Sequence, residues 1–271
     1  MRRGAVLALA VAAAAFAGCG GNKATIKVSS SASGSIPTAK EPVSGFVKRL
    51  TAIEADIQAG RCGPVSAFNK QSGFALFCDA RGKLAYSGFK VLGTEVFGTG
   101  GILEFTDAEV KKTSKQKPTP GVKAKGNQEV GVLTLAVAPD GRYTPTGPAS
   151  PILNGSVIGT KPASWAGADA NAVIFLKAIR DKDCKAFFRY SITPRGLPEK
   201  QACKQGLDTA YAALHKDLTS GQKATLFRQS GNAQFYFYGL RTGKQFRTLV
   251  VAKNPPPGPA FLAFGTFRAT K

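Results

Sequence analysis

The chain is nearly without histidine: His215 is the only one among its 271 residues. Serine and cysteine hydrolases need a general base, most often histidine, and imidazole is a leading zinc ligand. Both chemistries would rest on one side chain. His215 lies in Tyr211–Asp217 beside Lys216, a polar stretch that predicts a solvated surface residue. Other signatures are missing too. No G-x-S-x-G elbow, Walker loop, dinucleotide fingerprint, EF-hand loop or C-x-x-C occurs. Acid is scarce, with 16 Asp and Glu against 37 Lys and Arg. The one dense carboxylate group is Asp181, Asp183 and Glu199 around Cys184, interleaved with Lys182, Lys185 and Lys200. Such interleaving predicts solvated pairing rather than a carboxylate pair for glycoside cleavage. No apolar run reaches the ~20 residues that span hydrocarbon. The chain is therefore expected to be non-catalytic, with no cofactor and no metal.

What is present begins at the amino terminus. Met1-Arg2-Arg3 is positive, Gly4 to Ala15 is nearly pure Ala, Val and Leu, and Phe16-Ala17-Gly18-Cys19 closes the run. Charge, apolar core and small-residue exit make a secretory signal. Phe16-Ala17-Gly18-Cys19 resembles the lipobox of bacterial lipoproteins, where the peptidase cuts before a cysteine carrying a thioether-linked diacylglycerol. Phe16 departs from the usual Leu. The resemblance implies a signal peptide at 1–18, a lipid on Cys19 and an extracytoplasmic protein held at the membrane. Two or more acyl chains anchor firmly where one is marginal. Ordinary cleavage after Ala15-Phe16-Ala17 is the alternative and gives a secreted protein. Residues 19–44 are rich in Gly, Ser, Thr, Lys and Ala, with one apolar patch at Ile26 and Val28. That composition predicts a flexible tether.

Four further cysteines remain: Cys62, Cys78, Cys184 and Cys203. They allow three pairings. Local pairing, Cys62–Cys78 and Cys184–Cys203, gives two loops of similar size, each contributing ~3 kcal/mol by restricting the unfolded chain. Disulfides suit an exported protein.

The cysteine pairs mark a repeat. Phe46, Leu50, Ile53 and Ile57 recur on one helical face before the first pair. Ala172, Phe175, Leu176 and Ile179 do so before the second, with Asp169 placed to cap that helix. Strand signals follow at 88–97, 101–106 and 129–138, then at 225–229, 233–240, 246–252 and 260–267. Thr134-Leu135-Ala136-Val137-Ala138 mirrors Thr248-Leu249-Val250-Val251-Ala252. The expected fold class is α+β, two tandem repeated domains at 45–148 and 166–271 joined by a linker at 149–165. Each would be an N-terminal helix packed on a curved antiparallel sheet. In Phe235-Tyr236-Phe237-Tyr238, alternation puts the phenylalanines on one face and the tyrosines on the other. Tyr236 and Tyr238 are the candidate ligand platform.

This order of helix, short cysteine-bounded helical segment and sheet resembles the nuclear-transport-factor-two-like superfamily over 46–148 and 166–271. There the sheet wraps the first helix into a cone with a pocket. The overall plan is similar to two-domain exported lipoproteins of actinobacterial type. A cystatin-like or other helix-on-sheet fold has the same order. Polyketide cyclases and dehydratases of the superfamily use an Asp/His pair in the cone. The first half of this chain has no His, so the resemblance points away from that enzymatic subset.

The formal net charge is +21, with a local peak at Lys111, Lys112, Lys115, Lys117, Lys123 and Lys125. Export argues against nucleic acid, so no nucleic acid is expected as the physiological partner. The polyanions within reach of a cell surface are lipid headgroups and acidic envelope polymers. The expected function is a non-catalytic, membrane-anchored lipoprotein that binds a small apolar ligand, an anionic envelope component or a partner protein. The alternatives are an enzyme of the cyclase/isomerase type, or an envelope assembly scaffold.

Overall fold

Large apolar residues at successive positions of the C-terminal strands require a sheet buried on both faces. In a computed structural model of the chain, which describes residues 25–30, 39–59, 90–106, 129–138, 140–145, 152–192, 197–219, 223–243, 245–254 and 258–270, that is what they form. Strands β7 (Ala224–Gly231), β8 (Phe235–Thr242), β9 (Gln245–Lys253) and β10 (Phe261–Thr270) make an antiparallel meander. A fifth strand, β1 (Ile26–Ser29), adds in parallel to β7, with Ile26 opposite Ala224 and Ser29 opposite Phe227. The order is β1-β7-β8-β9-β10.

The presence of β1 corrects the expectation of a tether across 19–44. Ile26 and Val28 alternate, so both reach the same face, and both pack on the core there. A short β-branched pair on an otherwise open sheet edge is sufficient to recruit the strand. The sheet is consequently mixed rather than purely antiparallel.

Helices cover that same face. Helix α2 (Ala166–Asp181) buries Ala172, Phe175, Leu176 and Ile179, as the periodicity predicts. Lys182 ends it in the left-handed conformation (φ 54°) and donates its N–H back to the last turn. Helix α3 (Cys184–Tyr190) begins where the Asp183 carboxylate accepts from the Ala186 N–H. Helix α4 (Glu199–Ala202) continues through a π-helical turn (Cys203–Leu207) into α5 (Asp208–Thr219). The Cys184–Cys203 disulfide joins α3 to that turn, and Phe187 stacks on Phe175 with centroids 5.4 Å apart. Beneath the helices lie Leu226, Tyr236, Tyr238, Leu240, Leu249 and Val251.

The opposite face of the sheet carries Phe235, Phe237, Val250, Ala252 and Phe264, and it packs on the first half of the chain. There β2 (Lys90–Phe97), β3 (Gly100–Thr106) and β4 (Glu129–Val137) form a second antiparallel sheet. Strands β5 (Tyr143–Pro145) and β6 (Ile152–Asn154) both pair along the remaining side of β4, at opposite ends of it. Phe97, Ile102, Val132, Leu153 and Val157 meet the phenylalanines of β8. A Cβ on Gly100 would stand 2.6 Å from Phe237, so glycine is what lets the sheets approach at that point. Helix α1 (Val43–Gln58) is tied to this sheet by Phe46, buried edge-on against Tyr143.

The chain is thus α+β with two sheets. The expected linker at 149–165 instead supplies β6, the core residues Leu153 and Val157, and the half-buried Trp165 that packs against the core. Because the two sheets share a core cluster, the halves are not separate units joined by a free connection.

Candidate functional site

Polar chemistry inside the second half converges on the first turn of α2. Asp169 accepts a hydrogen bond from the Tyr238 hydroxyl at 2.8 Å and from Arg228 Nε at 3.2 Å. A second, shorter contact from Arg228 Nη2 completes a bidentate ion pair. Asp169 was expected to cap α2. Trp165 holds that position without a side-chain cap bond, and Asp169 turns inward to β7 and β8 instead. The physical reason is the buried Tyr238 hydroxyl, which needs an acceptor and finds it in this carboxylate.

Aromatic rings enclose the cluster. Trp165 meets Tyr236 and Tyr238 edge-on, with centroids 5.2 and 5.3 Å away, and Phe261 meets Tyr236 at 5.6 Å. The Arg228 guanidinium sits 5.6 Å over the Trp165 ring. Tyr236 and Tyr238 are both fully buried. The predicted alternation of β8 is correct, but the tyrosines are closed core beneath α2 and not an open ligand platform. Burial pushes the Tyr238 hydroxyl well above the usual phenol range, and the bond to Asp169 pushes it further. The hydroxyl is thereby held protonated, as a donor to Asp169. The Tyr236 hydroxyl is also pushed up by burial. It has no hydrogen-bond partner among the described residues, although the Ser164 backbone faces it outside bonding geometry. Asn171 donates to the Phe261 carbonyl at 2.8 Å and leaves its own oxygen unpartnered.

The other predicted acids do not assemble. Asp183 is the α3 cap, Asp181 pairs with Arg180, and Glu199 lies 3.9 Å from the Cys184 sulfur. His215 is half-buried, stacked on Tyr211 with its Nδ1 3.1 Å from the Tyr211 carbonyl oxygen. No group of three His, Cys, Asp or Glu suited to a metal occurs among the described residues. No helix there is long and apolar enough to cross a membrane. Cys19, Cys62, Cys78 and the lysines at 111, 112, 115, 117, 123 and 125 lie outside the described residues.

Three polar features carry no early sequence signal. Glu104, buried in β3, accepts from the Ser156 hydroxyl and the Val157 N–H, each at 2.7 Å. The only hint is a carboxylate inside the apolar run Gly101–Phe105. Between the sheets, the Thr99 and Thr248 hydroxyls stand 2.8 Å apart and Gln229 donates to Thr99 at 2.8 Å. Arg247 is buried against Asp217 at 2.9 Å. Finally, an open groove of ≈ 430 Å³ runs between α1 and β2, lined by Val47, Thr51 and residues 90–94. Leu92 stands at its rim where β2 bulges, 40% exposed.

The Asp169, Glu104 and Arg247 clusters each tie one element to another, while the Tyr236 hydroxyl and the Asn171 oxygen stay unpartnered among the described residues. Comparison with protein-family models, characterised proteins and solved structures finds no match for the chain.

Proposed function

We propose that the chain is a non-catalytic lipoprotein, anchored through Cys19 on the outer side of a cell membrane and binding an anionic component of the envelope. The observation that carries this reading is the Met1–Cys19 sequence, with its order of charge, apolar core and lipidation cysteine. The Cys184–Cys203 bridge supports export, since such bonds persist in oxidising compartments. The basic excess supports an acidic partner. Filling of the α2-facing sheet by Tyr236 and Tyr238 weighs against an apolar ligand beneath that helix. The cyclase-type enzyme is the lesser reading, because Asp169 is already committed to Arg228 and Tyr238.

Part of the same reading is that the two halves are divergent copies, similar in plan to the nuclear-transport-factor-two-like fold. Thr134–Ala138 and Thr248–Ala252 fall at the third strand of each meander, β4 and β9. The first strand of each, β2 and β7, carries a bulge.

Intact mass of the protein extracted from its own membrane tests the anchor. The expected result is a chain starting at Cys19 and carrying acyl chains. Cys19→Ala should abolish that mass increment. An unmodified chain starting at Gly18 would sink the anchored reading and favour secretion.

A further inference from the structure

Strand β1 changes what the amino-terminal anchor can do. Only six residues separate Cys19 from Ile26, the first residue of the strand. Fully extended, that link spans at most roughly 25 Å. A globular body of this chain length is roughly 45 Å across. The link is therefore shorter than the body is wide, and it leaves from one defined place. That place is the end of the sheet where β1 and β7 begin side by side, Ile26 opposite Ala224.

The residues gathered there are basic. Lys27 is exposed on β1, and its register partners are Thr225 and then Arg241, across β7 and β8. Lys223 is exposed immediately before β7. Lys216 is exposed in the last turn of α5, whose next residue, Asp217, reaches Arg247 near the start of β9. That contact places the α5 terminus at the same end of the sheet. Arg241 lies over the Phe227 ring at 5.2 Å. The carboxylate present there, Asp217, is taken up by Arg247. Lys27, Lys216 and Lys223 make no ion pair among the described residues. The opposite end, at the β7–β8 turn, holds Lys161 close by, through the bond from the Ala233 N–H to Thr160.

We propose that this end of the sheet, bearing Lys27, Lys216, Lys223 and Arg241, rests against an anionic lipid headgroup layer, so that the protein stands on the membrane in one orientation. The inference rests on the Cys19 anchor proposed above. A short leash and a cationic surface at its origin act together: the lipid confines that end to within roughly 25 Å of the bilayer, and attraction to acidic headgroups draws it in over the last Debye length, about 8–10 Å. The far end is left facing outward.

Lysine footprinting tests this on the full native protein, without substitution. The protein is reconstituted into vesicles of phosphatidylglycerol and phosphatidylcholine, or phosphatidylcholine alone, and labelled with an amine-acylating reagent. Lys27, Lys216 and Lys223 should label roughly threefold or more slowly on the acidic vesicles, with protection lost at high salt. Lys161 and Lys253 should label alike on both. Uniform labelling with an acylated Cys19 peptide overturns the orientation and spares the anchor. An unacylated Cys19 peptide in the same digest overturns the anchor itself, and the orientation with it.

Discussion

Arg247 lies almost wholly inside the protein, its guanidinium against the Asp217 carboxylate at 2.9 Å, with Thr242 and the Ala213 carbonyl as further acceptors. Burial pulls its pKa down, and Asp217 opposes that by favouring the charged form. A cation so placed is costly once the Asp217 carboxylate is removed, because a buried guanidinium then loses the counter-charge that offsets its desolvation. Asp217→Ala should therefore destabilise the fold by about 3–5 kcal/mol. The exposed Arg142–Asp140 pair is a control, since Asp140→Ala should cost less than about 1 kcal/mol. Denaturant midpoints of the two variants decide it, and equal shifts would refute the argument. Neither partner of the buried pair stood out in the sequence. Asp217 sits beside Lys216 and two residues from His215, and only the fold brings it to Arg247. Tyr238 was legible as to its face of the strand, because alternation fixes that. Its carboxylate partner, Asp169, was not, because the pair spans two elements far apart in the chain.

Among the elements, the periodic ones were readable. Strands β7 to β10 and helix α2 lie close to where branched and apolar residues predict them, since long runs of one period leave little choice. The short strands β1, β5 and β6 were not readable. Each has three or four residues and exists because a longer strand offers it an edge. Helix α1 shows another non-local tie. Ahead of it, Glu41 accepts from Arg49 Nε at 2.7 Å and from the Tyr143 N–H at 3.0 Å, clamping the helix to β5. Burial raises the Glu41 pKa, but the Arg49 and Tyr143 bonds outweigh it and hold the carboxyl below its ordinary value. With the folded pKa depressed, the stabilisation is present above the unfolded carboxylate value, about 4.3. It is lost as pH falls through the folded value. Glu41→Gln should thus lower stability at neutral pH, with the difference from the parent shrinking as pH drops below about 4. Thermal midpoints across pH measure it, and a difference that persists in acid would rule the clamp out.

For the whole molecule, the core cluster shared by the two sheets predicts that the halves unfold together. Gly100 and Phe237 sit at that contact, one from each half. Gly100→Val would force bulk into a space with no room for a Cβ. Trp165, the only tryptophan, lies in the other half and reports on it. The variant should destabilise the protein by about 1–3 kcal/mol through overpacking, and so lower the unfolding midpoint seen by Trp165 fluorescence. An unchanged Trp165 transition would mean that the sheets unfold independently.

The pairing of β1 with β7 also orders events during synthesis. Ile26 has no partner until Ala224 has been made, so the earliest strand of the chain waits for nearly all the rest. Pairings this distant in sequence close late and slowly. Strand β1 is consequently unpaired while the chain leaves the ribosome and becomes fixed only after β7 of the C-terminal meander exists.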